Sequence, residues 1–461
     1  MLLASGIMIE PQLICSSLLK GQLSDMWLYW CAGIGSAFSV SFFAHLWRKV
    51  PVRTENEFLF FRYSGTGAKV LHQFRSLYLG LLVIPFFISF SLLAFAKIFC
   101  FIVGIEINLA IGLLTFLIVI LTFFNSIKER LQLDFILFIV FILLFLIIFG
   151  SLLLNTGSLA HLATTIQSSK TYFNIIPSLG SKTFNAFIVF VLVQWWSASI
   201  LDYPDMNGQK LMATNSSKDL MKSIFLPSLS IVLFRVLLFT LPFMAVCYGY
   251  ANGAADSELA FTSLFMKALP RWMLILVVFL FLIPFLSFVQ NNQNWGGSLL
   301  IENFYKHTIN PNLSDANAKK FGIIAMIYII IAAGDIALYA DSLVGITKYI
   351  FAITAGVGPV FILRWYWWRI NAWTQLSAMV AALIYPPVLD WLYENNSTLH
   401  QLISGLELNF NIDYYPIKII VLTIVVCFTW LGITFLTPPT ETKTLETFML
   451  DPFFKQNIQL N

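Results

Sequence analysis

The chain is a succession of long apolar runs joined by short polar stretches. Eleven runs stand out, at about 26–47, 77–103, 105–125, 134–154, 184–203, 223–249, 271–302, 321–340, 343–363, 371–393 and 417–437. Each reaches or approaches the roughly 20 residues that carry an α-helix across a bilayer core. The pattern therefore predicts an all-α polytopic membrane protein of about 11 transmembrane helices. The informative positions are the ones that interrupt these runs.

Three interruptions are helix breakers. Thr354-Ala355-Gly356-Val357-Gly358-Pro359 lies deep in the 343–363 run, which then closes on Arg364-Trp365-Tyr366-Trp367-Trp368-Arg369-Ile370-Asn371-Ala372-Trp373. Broken backbone at membrane depth is tolerated where it is buried or lines a cavity. Trp and Tyr favour the membrane–water interface, and Arg its cytoplasmic side. Pro284 is expected to break the 271–302 run, and Leu201-Asp202-Tyr203-Pro204-Asp205-Met206-Asn207-Gly208 ends another. Interrupted helices near the midplane are the sequence pointer to a transporter site.

Charge placement sets an orientation. If the first run passes from outside to inside, the inward loops 48–76, 126–133, 204–222, 303–320, 364–370 and 438–461 hold 18 of the 27 Lys and Arg. The positive-inside rule then predicts an N-terminus outside and a cytoplasmic C-terminal tail 438–461; the expected location is the plasma membrane, the bacterial inner membrane. No basic region with a cleavage site opens the chain, and a further helix ahead of Met1 is the simpler way to reach that topology. The domain reading is one transmembrane domain over 1–461, with core helices at 26–363 and additional helices at 371–393 and 417–437.

Composition agrees. Hydrophobic residues make up 59% and charged ones 11%, against about 25% charged in soluble domains. Mean hydropathy is +0.82. Cys15, Cys31, Cys100, Cys247 and Cys427 lack metal-ligand spacing and read as small core residues. His45, His72, His161, His307 and His400 stand apart, and no Gly-rich phosphate loop, Gly-x-Ser-x-Gly or His-Glu-x-x-His occurs. These absences argue against an enzyme, and Asp202 and Asp205 read as solvated loop acids.

The polar residues inside the runs suit a binding cavity for a small organic solute. Gln194-Trp195-Trp196-Ser197 combines an amide that donates and accepts with flat apolar rings. The competing reading of Gln194 is a helix–helix hydrogen bond. Arg235 sits mid-run, where a charge needs a partner or water. It serves either an anionic solute or a structural pair. Ser287-Phe288-Val289-Gln290-Asn291-Asn292-Gln293-Asn294 must face a cavity or another helix. Gln194, Trp195, Ser197, Arg235 and Asn294 are the solute-site candidates. The bilayer is the other partner; nucleic acid is not, and no resident cofactor is expected.

Several segments together resemble the sodium:solute symporter family. Ala32-Gly33-Ile34-Gly35 with Phe42-Phe43-Ala44-His45-Leu46-Trp47-Arg48-Lys49 is similar to its second core helix. Glu57-Phe58, Arg62-Tyr63-Ser64-Gly65 and Phe74-Arg75-Ser76-Leu77-Tyr78-Leu79-Gly80 resemble the next loop and third helix. Gln194-Trp195-Trp196 resembles the sixth, Gln293-Asn294-Trp295-Gly296 the eighth, and 364–373 the end of the tenth. Phe435-Leu436-Thr437-Pro438-Pro439-Thr440 is similar to the exit of the last helix. The resemblance implies a five-plus-five inverted-repeat transporter fold, here N-terminally incomplete, and symport of a small organic solute. It also implies sodium as the coupling ion, held by the first core helix and an Ala-x-x-Ser-Ser/Thr pattern on the eighth. Here that pattern reads Pro284-Phe285-Leu286-Ser287-Phe288, so Ser287 is a vestigial sodium ligand and sodium coupling is not expected. The rival readings are a non-transporting relative acting as a receptor or subunit, and a membrane-embedded transferase.

Overall fold

The computed structural model describes residues 9–20, 23–38, 42–43, 46–47, 50, 52, 55–123, 127–156, 162–164, 166, 174–198, 237–250 and 256–449. Among these there are helices and no strands. Seventeen helical segments are labelled in chain order. They are α1 (Glu10–Leu19), α2 (Ala32–Phe38), α3 (Glu55–Arg62), α4 (Gly65–Val103), α5 (Ile107–Thr122) and α6 (Ile127–Thr156). Then come α7 (Lys182–Val189, Phe190–Gln194 and Trp195–Ala198 in one run), α8 (Leu237–Cys247), α9 (Ala260–Ala268), α10 (Arg271–Thr308) and α11 (Asp315–Tyr339). The last are α12 (Leu343–Ala352), α13 (Gly358–Tyr366), α14 (Ala372–Asn395), α15 (Ser397–Phe410), α16 (Tyr414–Leu436) and α17 (Thr442–Met449).

Six described helices are long and apolar enough to cross a membrane: α4, α6 over Phe135–Thr156, α10, α11, α14 and α16. On α6, Phe135, Ile136, Ile139, Leu143, Leu146 and Ile147 are all exposed. Such a surface is unfavourable in water and natural against lipid.

Local chemistry sets several ends. Ser181 accepts from the Phe184 N–H at the start of α7. Asn371 and Thr374 form a reciprocal capping box at the start of α14. Gly104, at φ +80, ends α4 in the left-handed conformation that glycine adopts without strain.

The boundaries differ from the apolar runs in instructive ways. Residues 48–76, read as a loop, contain α3 and the first three turns of α4, which continues unbroken for 39 residues. The buried face of that amphipathic first part includes Leu71, His72, Arg75 and Ser76. Pro284 does not break α10: helix continues through it from Arg271 to Ser298 and on through a π turn at Leu299–Tyr305. A single missing N–H is a modest loss where neighbouring helices pack around the buried proline. The 26–47 run is described as short pieces, Trp27–Trp30 and Ala32–Phe38 among them. The segment 201–208 lies outside the described residues.

The chain forms two compact units. The first comprises Met1–Met26, Leu79–Ile175 and Ser216–Ile346. In it α4 packs on α10 and α11, α5 on α11, and α6 on α10. Phe95 stacks on Phe285 at 4.8 Å, and Gln293 donates to Thr122 Oγ1 at 2.7 Å. The second unit comprises Trp27–Tyr78, Ile176–Asn215 and Thr347–Asn461. Its α14 and α16 pair along their length, tied by Thr374–Thr434 at 2.8 Å and Lys418–Asp390 at 2.5 Å.

The aromatic segment 364–373 divides. Tyr366 and Trp368 are exposed, as an interfacial belt requires, but Trp365 and Arg364 are fully buried. They enter a core of Phe43, Leu46, Trp47, Val50, Phe58 and Phe448. Arg62, also buried, donates from Nε to the Arg364 carbonyl at 2.7 Å and from Nη2 to the Trp367 carbonyl at 3.1 Å. It thereby satisfies carbonyls at the C-terminal end of α13, where a cation is also favoured by the helix dipole.

Candidate functional site

The break in the 343–363 run is real: α12 ends at Ala352, α13 starts at Gly358, and Ile353–Val357 are turns. Ile353, Ala355 and Val357 are buried, so the freed backbone groups need partners inside the protein. Within the second unit, α7 and α16 supply donors to the Ala355 carbonyl, and Thr354 bonds back to α7. Trp196 Nε1 donates to the Ala355 carbonyl at 2.8 Å. Thr354 Oγ1 donates to the Ser197 carbonyl at 2.9 Å, and Thr423 Oγ1 reaches Ala355 O at 3.4 Å.

Two glycines permit the approach. A Cβ on Gly358 would lie 2.8 Å from Trp196 Cβ and Cδ1, and one on Gly356 would overlap the Val426 side chain.

Three sequence candidates lie on this stretch of α7. Gln194 closes the π turn Phe190–Gln194 and is fully buried. Its Nε2 donates to the Leu28 carbonyl at 2.8 Å, the helix–helix bond of the competing reading. Its Oε1 is buried with no hydrogen-bond partner, so the same side chain keeps one acceptor in reserve. Ser197 is buried and donates to the Gln194 carbonyl at 3.0 Å. Trp195 is half-buried, its ring 5.1 Å from Phe38 and 5.6 Å from Trp196.

The remaining candidates are placed elsewhere or not described. Asn294 is half-buried on α10, in the first unit. Arg235, Asp202 and Asp205 lie outside the described residues. Ser287 is buried on α10, and its carbonyl accepts from Asn291 Nδ2 at 2.7 Å. In the polar run around it, Asn292 Nδ2 donates to the Phe288 carbonyl at 2.9 Å, while Gln293 Nε2 bonds to Thr122 on α5. Among the described residues no group of three or more His, Cys, Asp or Glu could hold a metal ion.

Sequence reasoning passed over Trp196, Thr354 and Ala355 as site residues. The available signal was the Gly356–Gly358–Pro359 spacing, which marks where another element comes close.

Long apolar helices, with a further apolar run interrupted at a buried turn, define the class: a polytopic membrane protein. A model of the sodium:solute symporter family matches residues 16–382, and the chain belongs to that family. Thirty chains of solved structures match. One is the substrate-bound outward-open state of a Na+-coupled sialic acid symporter, reported to reveal a novel Na+ site. It aligns at 14% identity with a TM-score of 0.65, over 95% of this chain and 90% of that one. The likeness shows the fold, a five-plus-five inverted-repeat architecture. No curated protein matches the chain.

Proposed function

We propose that this protein is a secondary transporter of a small organic solute, and that the α7 face at Gln194, Trp195 and Ser197 contacts that solute. The carrying observation is the buried, unpartnered Gln194 Oε1 beside a helix break held by Trp196 and Thr354. A buried acceptor without a partner costs about 1–3 kcal/mol. A solute hydroxyl or N–H at that atom removes the cost. Arg235 and Asn294 remain candidates from the sequence alone.

The test is uptake by the purified chain in proteoliposomes, screened over small organic solutes with and without sodium. Gln194→Ala is expected to weaken solute binding by about tenfold, the value of one hydrogen bond to a buried group. Its thermal midpoint should fall far less than its affinity. Equal affinity in Gln194→Ala and the parent chain would remove Gln194 from the site.

Sodium is proposed not to bind tightly at Ser287. A hard cation needs several oxygens, about six for most sites of this kind. Phe288 contributes a ring where the family pattern has a hydroxyl, and the Ser287 carbonyl is already engaged by Asn291. Saturable sodium dependence of uptake that is lost in Ser287→Ala would overturn this.

The inside C-terminus and outside N-terminus belong to the same proposal. In a cysteine-free parent, Lys319→Cys should react only from the cytoplasmic face and Lys267→Cys only from the external one. External labelling of Lys319→Cys would reverse the topology.

A further inference from the structure

The first unit contains a buried charge cluster that the solute site does not use. Lys97, on α4, points its ammonium at two acids: Nζ is 2.6 Å from Glu258 Oε2 and 2.8 Å from Asp256 Oδ2. Lys97 and Glu258 are both buried. Asp256 Oδ1 accepts the Glu258 N–H at 2.8 Å, which fixes the Glu258 backbone. Glu258 then does something an ion pair alone does not require. Its carboxylate accepts the backbone N–H of Leu343, Oε1 at 3.1 Å and Oε2 at 3.3 Å.

Leu343 is the first residue of α12. The first N–H groups of a helix have no intrahelical acceptor, and the dipole there favours an anion. Ser342 covers only one of them, through Gly345 N–H to Oγ at 3.0 Å. A carboxylate 85 residues away in sequence covers another. The far end of the same ten-residue helix is the break at Ile353–Val357, where Trp196 and Thr354 attach α7. One short helix thus joins a buried charge cluster to the candidate solute site.

We propose that Glu258, held by Lys97 and Asp256, is a positioning residue for transport: it anchors the N-terminus of α12 and so sets the geometry of the break at Thr354 and Ala355. Its effect on transport rests on the reading of the α7 face as the solute site. The anchoring itself does not. The acceptor oxygens are the essential part, and Lys97 and Asp256 aim them.

Four full-length variants in nanodiscs separate anchoring from simple charge pairing. Glu258→Leu removes acceptor and charge. Glu258→Gln keeps an oxygen for the Leu343 N–H. Lys97→Met removes the group that aims the carboxylate. The exchanged pair Lys97→Glu with Glu258→Lys keeps opposite charges in contact but leaves no acceptor at 258. The readout is hydrogen exchange of the α12 amides from Leu343 to Ile346, against the core of α11 as a folding control.

Exchange there should rise by about ten- to a hundredfold in Glu258→Leu, the loss of one charge-assisted hydrogen bond. The exchanged pair should match Glu258→Leu. Glu258→Gln should restore most of the protection, and Lys97→Met should fall between. Parent-like protection in the exchanged pair would show that pairing alone matters and would overturn the proposal. Unchanged exchange in Glu258→Leu would do the same.

For whichever solute the proteoliposome screen finds, Glu258→Leu should change the turnover rate more than the KM, with recovery in Glu258→Gln. Turnover and KM both at parent values, despite loosened α12 amides, would overturn the link to transport. A parent chain that moves no solute would instead defeat the transporter reading, and the exchange data would still decide the anchor.

Discussion

Arg62→Met is expected to lower stability by about 3 kcal/mol or more, enough to abolish folding in a marginal membrane preparation. Methionine keeps much of the side-chain volume and removes the donors. The carbonyls of Arg364 and Trp367 then lose the guanidinium bonds of 2.7 and 3.1 Å, and the half-buried Trp367 carbonyl keeps the Ile370 N–H at 3.2 Å. The aromatic contacts also go: the guanidinium lies 5.2 Å from the Tyr63 ring centre and 5.1 Å from that of Phe448. Arg62→Lys is expected to recover less than half of the loss, because one ammonium cannot reproduce a planar fork aimed at two carbonyls. Thermal denaturation in detergent by an α-helical signal reads the effect. A shift of the midpoint under about 2 °C for Arg62→Met would show that water replaces the guanidinium at no cost.

Gly358→Val should eliminate uptake while leaving a folded protein. Its Cβ would lie 2.8 Å from Trp196 Cβ, which cannot yield as a flexible chain end could. Either α13 or α7 must shift, and the Trp196–Ala355 and Thr354–Ser197 bonds, at 2.8 and 2.9 Å, are the nearest to break. Overpacking of this kind costs about 1–3 kcal/mol, and the larger consequence falls on the geometry of the site. Uptake in proteoliposomes, with size-exclusion behaviour as the folding control, is the measurement. Parent-level uptake in Gly358→Val would mean that the close approach of α7 and α13 has no part in transport.

The membrane fold was legible because apolar runs of helix-spanning length depend on composition alone. The break at 354–359 was legible for a related reason, since Gly and Pro act locally. Pro284 misled because its effect depends on what surrounds it. The start of α4 was missed because an amphipathic helix with Lys69, His72 and Arg75 carries no long apolar run. Gln194 was recognised as unusual, yet its two ends behave differently, one bonded to Leu28 and one without a partner, and only coordinates separate them. Lys97, Asp256 and Glu258 gave no signal as a group, because 159 residues separate Lys97 from Asp256 along the chain. Trp365 and Arg364 looked interfacial by type, and packing against Phe58 and Trp47 took them inside.

Three long helices each carry one π turn, at Tyr78–Val83 in α4, Phe190–Gln194 in α7 and Leu299–Tyr305 in α10. Such a turn holds one residue more than an α turn. It therefore rotates every later side chain by about 100° relative to an uninterrupted helix. In α4 that phase offset lies between Arg75, which meets Asn56, and Lys97, which meets Glu258. Excising a single residue from Tyr78–Val83 would let the helix close up smoothly, with every backbone hydrogen bond intact. One of those two side chains would then face about a quarter-turn away from its partner.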